Sequence, residues 1–227
     1  MGYYESLEPW QKELLDRHLE LVIELNKTTN LTRITDFEEA RILHIEDSLS
    51  ALEELKQCKT GRYGDLGSGA GYPGLPLAIA TGRKTVLIDS RQKKMDLMEG
   101  IIDELGLGDR VSTYAGRAEL LARMNPKSFC ALTARALAKL PVLLELASPL
   151  LEKGGRLICY KAQLEDEELK QAKSVSEATG LDLISQREFL LDGIYERRIL
   201  VFEKCKKPRT KLPRREGEAQ RNPLGKR

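Results

Sequence analysis

The residues best suited to chemistry lie in one glycine-rich stretch, residues 65–74, with the sequence DLGSGAGYPG. Glycine lets a backbone turn sharply and lets a ligand approach it closely. The apolar residues 75–80 that follow can form a short helix, and the first turn of a helix presents free N–H groups to a ligand. The stretch therefore predicts a ligand-binding loop that leads into a helix.

Three kinds of ligand are compatible with glycine loops. A P-loop requires Gly-Lys followed by Ser or Thr, and no lysine follows these glycines. The final GAGYPG matches a dinucleotide fingerprint, but its proline removes one N–H, and little chain remains for the substrate domain of a dehydrogenase. Asp65 with Gly67, Gly69 and Gly71 matches the D-x-G-x-G-x-G pattern of S-adenosylmethionine binding. We favour this third interpretation.

Two carboxylates are candidate contacts for this cofactor. Asp65 can hold the cationic amino group of the methionine part, directly or through water, while Gly67 lets the backbone approach. Asp89 ends an apolar run 18 residues after Gly71, close to the roughly 20 residues at which an acidic side chain meets ribose hydroxyls. The Asp89 carboxylate suits either a dinucleotide or S-adenosylmethionine.

Helices and strands must position this loop. The spacing of apolar residues predicts a helix over residues 9–26 and a second one that carries apolar residues 42–55, with Thr35 or Asp36 as its N-cap. Beyond residue 61, strand patterns alternate with helical ones, and two final strands, 181–190 and 198–202, flank a turn as an antiparallel pair. Such alternation predicts an α/β fold with a mostly parallel sheet and helices on both faces.

The chain is expected to divide into an N-terminal helical cap (1–60), a ligand-binding domain (61–203) and a tail (204–227). The tail carries ten Lys/Arg and two Asp/Glu, a net charge of +8, whereas residues 1–203 carry −6. A basic tail on an acidic body suggests a polyanionic partner such as nucleic acid. Its prolines and charges also predict disorder.

Composition excludes several other classes of protein. No apolar run approaches the roughly 20 residues of a membrane-spanning helix, and no signal peptide is recognisable, so we expect a cytoplasmic protein. The four cysteines form no CxxC pair and the two histidines are far apart. No metal site is therefore expected.

The glycine loop and several other blocks together resemble the RsmG (GidB) family. The blocks occur in order between about residues 20 and 203 and are as follows: Asn30-Leu31-Thr32, His44 with Asp47-Ser48, DLGSGAGYPGLP over 65–76, Leu87-Ile88-Asp89-Ser90, Arg117-Ala118-Glu119, Thr133-Ala134-Arg135-Ala136, Tyr160-Lys161-Ala162-Gln163 and Arg197-Arg198. Ala162 departs from the glycine usual in its block, and Gly64 weakens the strand before the loop.

The resemblance implies a class I S-adenosylmethionine-dependent methyltransferase, with a Rossmann-like sheet and an N-terminal helical cap, that methylates guanine N7 in 16S ribosomal RNA. It also implies that Gly67 and Tyr72 contact the cofactor from the loop. Ala118 and Glu119 are expected at the adenine after the third strand. Arg135 is expected to contact the cofactor after the fourth strand, close to the site of transfer.

Methylation of guanine N7 requires no general base, since the nitrogen carries a free lone pair. Catalysis is then a matter of positioning. Arginine is the usual partner of guanine O6 and N7, so Arg135 is expected to position the base through O6. We expect a basic rim to bind the 16S RNA or the 30S particle, formed by Arg33, Lys139, Lys161, Arg197, Arg198 and the tail.

Two alternatives remain open, and a monomer is expected throughout. A methyltransferase acting on a small molecule or a protein would have a closed pocket and no salt-sensitive RNA binding. A non-catalytic RNA-binding assembly factor would bind ribosomal RNA but not the cofactor.

Overall fold

A seven-stranded sheet forms the centre of the computed structural model, which describes residues 2–225. Its strands are β1 (Tyr63–Leu66), β2 (Thr85–Asp89), β3 (Val111–Ala115), β4 (Phe129–Arg135), β5 (Leu151–Lys161), β6 (Leu181–Leu191) and β7 (Tyr195–Lys204). They lie in the order β3-β2-β1-β4-β5-β7-β6. Strands β1 to β5 run parallel, and β7 is antiparallel to both β5 and β6. The α/β sheet and its final antiparallel pair are confirmed.

Helices cover both faces of this sheet. They are α1 (Pro9–Asn26), α2 (Phe37–Ala40), α3 (Asp47–Leu49), α4 (Leu52–Lys56), α5 (Gly74–Thr81), α6 (Gln92–Glu104), α7 (Ala118–Met124), α8 (Leu140–Ala147), α9 (Asp166–Ser174), α10 (Ser176–Thr179) and α11 (Glu218–Arg221). Helices α5 and α6 pack on one face, with α1 and α4 against α5, whereas α7, α8 and α9 pack on the other face. Among the described residues, no helix is long and apolar enough to cross a membrane.

The strand that leads into the glycine loop owes its glycine to close packing. A Cβ on Gly64 would lie 2.8 Å from side-chain carbons of both Leu132 and Phe129 on the neighbouring β4. Phe129 and Leu132 are fully buried, so they fill the space over Gly64. The residue that weakens the strand pattern in the sequence is therefore required by the core.

The second helix of the sequence analysis is interrupted rather than continuous. Asp36 caps it as expected, because its carboxylate accepts the Glu39 N–H at 2.9 Å. A π-helical segment, Arg41–Glu46, then separates α2 from α3, and a further turn separates α3 from α4. The hydroxyls of Ser48 and Ser50 donate to the carbonyls of His44 and Asp47, and such bonds compete with the regular helical pattern.

The tail is packed against the domain, which differs from the disorder that its composition predicts. Arg214 makes two hydrogen bonds, of 2.7 and 2.6 Å, to the carboxylate of Glu145 on α8, and Glu145 is 3% exposed. Ala219 is buried against Val142 and Leu146 of α8. A specific buried ion pair and an apolar contact hold residues 205–225, so composition alone was a poor guide to their order.

Candidate active site

The carboxylate of Asp65 is enclosed and holds the glycine loop in place. One of its oxygens accepts the Ser68 hydroxyl at 2.6 Å and the Gly74 N–H at 3.0 Å. The other accepts the Thr133 hydroxyl on β4 at 2.7 Å. Asp65 is fully buried, and burial raises its pKa, while these hydrogen bonds act to lower it. The structure therefore differs from the expected contact with the cofactor amino group, since Asp65 is committed to the loop itself.

Gly67 lies where the loop comes closest to the segment after β4. Its φ is +76°, and a Cβ there would lie 2.8 Å from Leu137 Cδ1. Its N–H donates to the Ile88 carbonyl at 2.7 Å. Gly69, also at positive φ, donates its N–H at 3.1 Å to Asp89, the candidate ribose ligand. The loop thus presents bare backbone beside Asp89, which agrees with the close approach expected of Gly67 and Gly69.

Tyr72 anchors the loop to the N-terminal helices. Its ring stacks between the imidazoles of His18 on α1 and His44 in the π-helical segment, with centroid distances of 4.5 and 4.6 Å. His18 Nε2 lies 3.0 Å from the Ala70 carbonyl. His44 Nε2 lies 2.8 Å from the Thr32 hydroxyl. The two histidines thus tether the N-terminal segment to the glycine loop.

Both histidines are uncharged in this stack at neutral pH. Burial lowers the pKa of His18 to about 4 and that of His44 to about 4. The nearby guanidinium of Arg135 also lowers the pKa of His44. The hydroxyl of Tyr72 is buried and bonds to no group in residues 2–225, so it is one polar atom of the loop still able to bind a ligand.

A narrow cleft collects four of the eight candidate cofactor residues. It lies at the carboxyl ends of β1, β2 and β3, where ligands bind in sheets of this kind. Its lining includes Gly67, Asp89, Ala118 and Glu119, together with Leu137 from the segment after β4. The bare backbone of Gly67 and the acceptor carboxylate of Asp89 suit a nucleoside with hydroxyl groups on its sugar.

The C-terminal tail closes part of this cleft. The Gly217 N–H donates to the buried Glu119 carboxylate at 2.8 Å, and Gln220 forms part of the lining. The remaining volume is about 80 Å³, whereas sites for small ligands hold roughly 300–1,000 Å³. A cofactor can therefore enter only if the tail or neighbouring side chains shift.

A larger cavity of about 470 Å³ lies on the other side of the segment after β4. Arg135 and Ala136 line this cavity, whereas Leu137 lines the cofactor cleft. Ala136 has a φ of +53°, which is uncommon outside glycine and clusters at functional sites. The two cavities thus share a three-residue segment with an unusual backbone at its centre.

Arg135 and Arg197 meet at one carboxylate in this cavity. Arg135 Nη1 donates to one oxygen of Asp47 at 2.8 Å and to the Leu43 carbonyl at 3.0 Å. Arg197 Nε donates to the other Asp47 oxygen, also at 2.8 Å. The Arg135 guanidinium lies 5.8 Å from the centre of the Tyr72 ring. The structure thus brings together Arg135, Tyr72 and Arg197, as the sequence analysis placed them near one site.

The other predicted RNA-binding residues are spread out. Lys161 is an internal residue, because it donates to Glu168 at 2.7 Å and to the Ala138 carbonyl at 3.0 Å with a side chain only 13% exposed. The expectation that Lys161 grips RNA is therefore wrong. Arg198 follows Arg197 in a strand and so points to the opposite face, where it pairs with Glu188. Arg33 and Lys139 are exposed.

Several site residues carry no recognisable signal in the sequence. The partners of Asp47 lie 88 and 150 residues away, and Gly217 lies 98 residues from Glu119. None of these contacts follows the spacing of neighbouring residues within a helix or a strand. The histidines that stack on Tyr72 also look like ordinary members of helical patterns. Only the blocks that surround Asp47 and His44 give a hint that these residues matter.

Two solved methyltransferases have the same architecture. An O-methyltransferase from Bacillus cereus, solved with S-adenosylhomocysteine, superposes with a TM-score of 0.57 and 17% identity over 82% of this chain and 90% of its own. A geranyl diphosphate methyltransferase, solved with sinefungin, gives a TM-score of 0.59 and 13% identity over 87% and 100%. With this sheet order and a cleft at its carboxyl edge, the fold is that of class I methyltransferases.

Sequence comparisons identify the family. The model of the GidB family, rRNA small subunit methyltransferase G, matches residues 11–197. The ribosomal RNA small subunit methyltransferase G of Geobacillus kaustophilus is 38% identical over 92% of this chain and 89% of its own length. That of Desulfitobacterium hafniense is 39% identical over 94% and 90%. The chain belongs to the rRNA small subunit methyltransferase G family, as its motifs predicted.

The stability of the protein should fall between pH 6.5 and pH 4 because of the histidine stack. An unfolded histidine has a pKa of about 6.5, and His18 and His44 have lowered values of about 4 in the fold. The unfolded chain then binds more protons in this window, so acid favours unfolding by about 1.4 kcal/mol per pH unit for each histidine. Urea unfolding at pH 7.5, 6 and 5 measures this slope. His18→Phe should remove roughly half of the histidine contribution, and an unchanged slope in this variant would contradict the assignment.

Loosening the tail should strengthen cofactor binding. Arg214→Gln removes the ion pair with Glu145 that holds the tail. The tail can then move away from the cleft, so the cofactor no longer has to displace a fixed hydrogen bond between Gly217 and Glu119. A hydrogen bond of this kind, to a charged group, contributes about 1.5–3 kcal/mol. We expect the Kd for S-adenosylmethionine to fall at least threefold, as measured by calorimetry. Arg209→Gln is the matched control, because Arg209 is an exposed tail residue paired with Glu177. Equal or weaker binding by Arg214→Gln would count against the prediction.

Proposed function

We propose that this protein transfers a methyl group from S-adenosylmethionine to N7 of a guanine in 16S ribosomal RNA. It acts as a monomer in the cytoplasm, on the RNA or on the 30S particle. The observation that carries this proposal is the pair of cavities on either side of Arg135, Ala136 and Leu137. One cavity is lined by four of the candidate cofactor residues and the other by two arginines, and the matched family region includes every lining residue of both except Gln220.

The cofactor is held by the glycine loop and the ends of β2 and β3. Gly67 supplies backbone without a side chain, Asp89 accepts hydroxyl groups of the ribose, and Ala118 and Glu119 lie at the adenine. Tyr72 has a hydroxyl with no partner in the part of the chain described, and this group is available to the methionine end. When bound, the sulfonium of S-adenosylmethionine supplies an electrophilic methyl group.

The acceptor side needs positioned donors rather than a base. Guanine N7 has a free lone pair, so no residue has to remove a proton. His18 and His44 bond within the stack and stay neutral at pH 7 because burial lowers their pKa to about 4. Arg135 has unused N–H groups at Nε and Nη2 within the described structure. These groups can donate to guanine O6 and leave N7 open to the methyl group.

Binding of the RNA backbone falls to exposed cations around this cavity. Arg33 and Lys139 are exposed, and phosphate contacts of this kind orient RNA without reading its sequence. Arg197 and Lys161 both line the cavity, but the Lys161 ammonium is engaged by Glu168 and by the Ala138 carbonyl. The RNA-binding surface is therefore smaller than the basic rim that the sequence suggested.

Methyl transfer from labelled S-adenosylmethionine to unmodified 16S RNA and 30S particles tests the proposal. We expect label on guanine N7. Arg135→Ala should lower kcat/KM at least tenfold, since a hydrogen bond from a charged donor to guanine O6 is worth about 1.5–3 kcal/mol. Arg198→Ala is the matched control, because Arg198 lies on the opposite face of β7, paired with Glu188.

Three outcomes would contradict this proposal in different ways. Cofactor binding without labelled RNA would indicate a small-molecule or protein substrate. RNA binding without cofactor binding would indicate an assembly factor without turnover. Label on RNA that Arg135→Ala leaves unchanged would keep the reaction but remove Arg135 from the acceptor site.

A further inference from the structure

The carboxylate of Asp47 joins two strands that do not touch each other. Arg135 ends β4 and Arg197 begins β7, and β5 lies between these strands. Each oxygen of Asp47 accepts one charge-assisted hydrogen bond of 2.8 Å. The three side chains are only 15%, 7% and 15% exposed for Arg135, Asp47 and Arg197. Asp47 therefore fixes the distance and orientation of two arginines that would otherwise repel each other.

The shared carboxylate leaves each arginine with an unused edge. Arg135 uses only Nη1, and Arg197 uses Nε and one Nη1 hydrogen, which reaches the Glu196 carbonyl. Of the five N–H groups on each guanidinium, three therefore remain on Arg135 and three on Arg197, counted over residues 2–225. The cluster carries a net charge of +1 and offers six donors at one wall of the cavity.

The remaining walls suit a flat aromatic ring. Ile34, Leu43, Ala136 and Ala162 contribute apolar surface, and Tyr160 is buried with its hydroxyl donated to the Ser48 carbonyl at 2.6 Å. The volume of about 470 Å³ falls in the range of sites for small ligands. Enzymes that react with a base commonly draw it out of the stack into such a pocket. The apolar walls and the unused N–H groups of the two arginines match one nucleotide, with its ring carbonyl and its phosphate.

We propose that Asp47 is a positioning residue that holds Arg135 and Arg197 as a paired donor edge for the extruded guanine nucleotide. Asp47 acts through the two arginines, which contact the ring carbonyl and the phosphate of that nucleotide. This inference rests on the proposed function and identifies the residue that shapes its acceptor site. It predicts that the effects of replacing Asp47, Arg135 and Arg197 on RNA methylation are not additive.

A mutant cycle on RNA methylation tests the inference. Asp47→Asn keeps the shape but removes the negative charge, and its NH₂ group cannot accept from arginine. We expect kcat/KM for 16S RNA to fall at least tenfold while the Kd for S-adenosylmethionine stays within twofold. In the Arg135→Ala/Arg197→Ala background, Asp47→Asn should change kcat/KM less than threefold, because nothing remains for it to position. A full tenfold effect in that background would overturn the proposal.

Glu54→Gln is the matched structural control. Glu54, on α4, is 11% exposed and pairs with Arg187 of β6 at 2.8 Å, so it also joins the N-terminal helices to the sheet, but outside the cavity. Both variants should lower the unfolding temperature, whereas only Asp47→Asn should lower kcat/KM per folded molecule. Equal losses of activity in the two variants would mean that Asp47 is merely structural.

If Asp47→Asn does not fold, Arg197→Lys serves instead, since it keeps the positive charge and loses the forked guanidinium. This variant should lower kcat/KM at least threefold, and wild-type values would overturn the proposal.

Binding of 5′-GMP separates this inference from the proposed function. We expect Asp47→Asn to weaken GMP binding at least tenfold by equilibrium dialysis, and Glu54→Gln to leave it unchanged. If the wild-type protein methylates no RNA yet shows this pattern with GMP, the function is wrong and the nucleotide pocket stands. If RNA is methylated but Asp47→Asn changes neither GMP binding nor kcat/KM, the proposed function stands and the proposed role of Asp47 is wrong.

Discussion

The hydrogen bonds of the buried Asp65 carboxylate are the constraint on which the site depends. They tie the start of the glycine loop to Ser68 within the loop, to the first residue of α5 and to Thr133 on β4. Packing reinforces this arrangement, because a Cβ on Gly74 would lie 2.5 Å from Leu87 and 2.7 Å from Asp65 Cβ. A buried carboxylate without partners would be strongly unfavourable, so the loop is fixed in the one conformation that satisfies it.

Two other parts of the chain converge on this fixed loop. The N-terminal helices reach it through the stack of His18, Tyr72 and His44, and the π-helical segment that carries His44 is followed directly by Asp47. The C-terminal tail reaches the cofactor cleft through Gly217, which bonds to Glu119, and Gln220, which lines the cleft. The cap and the tail are therefore parts of the site rather than appendages of a separate catalytic domain.

Local patterns were sufficient to predict the sheet and the loop. Strand ends near Asp65 and Asp89, and the final antiparallel pair, follow from periodicity and turn residues. The same patterns could not show which way a polar residue faces. Asp65 was expected to meet the cofactor but turns inward to Thr133, and Lys161 was expected to meet RNA but pairs with Glu168. Both errors have one cause, since the partner that decides the orientation lies on another element.

Charge counting failed in the tail for a related reason. Within the described residues, three of the ten tail cations pair with carboxylates of the domain: Arg214 with Glu145, and Lys206 and Arg209 with Glu177. Lys204 donates to the Ser148 and Leu151 carbonyls, and burial lowers its pKa to about 8. A net charge attracts a polyanion only where it is exposed and unpaired, and the sequence reports neither property. Part of the charge asymmetry therefore reflects how the tail is held on the acidic body. The paired arginines at Asp47 are the more specific feature, because there the charges are arranged around a cavity.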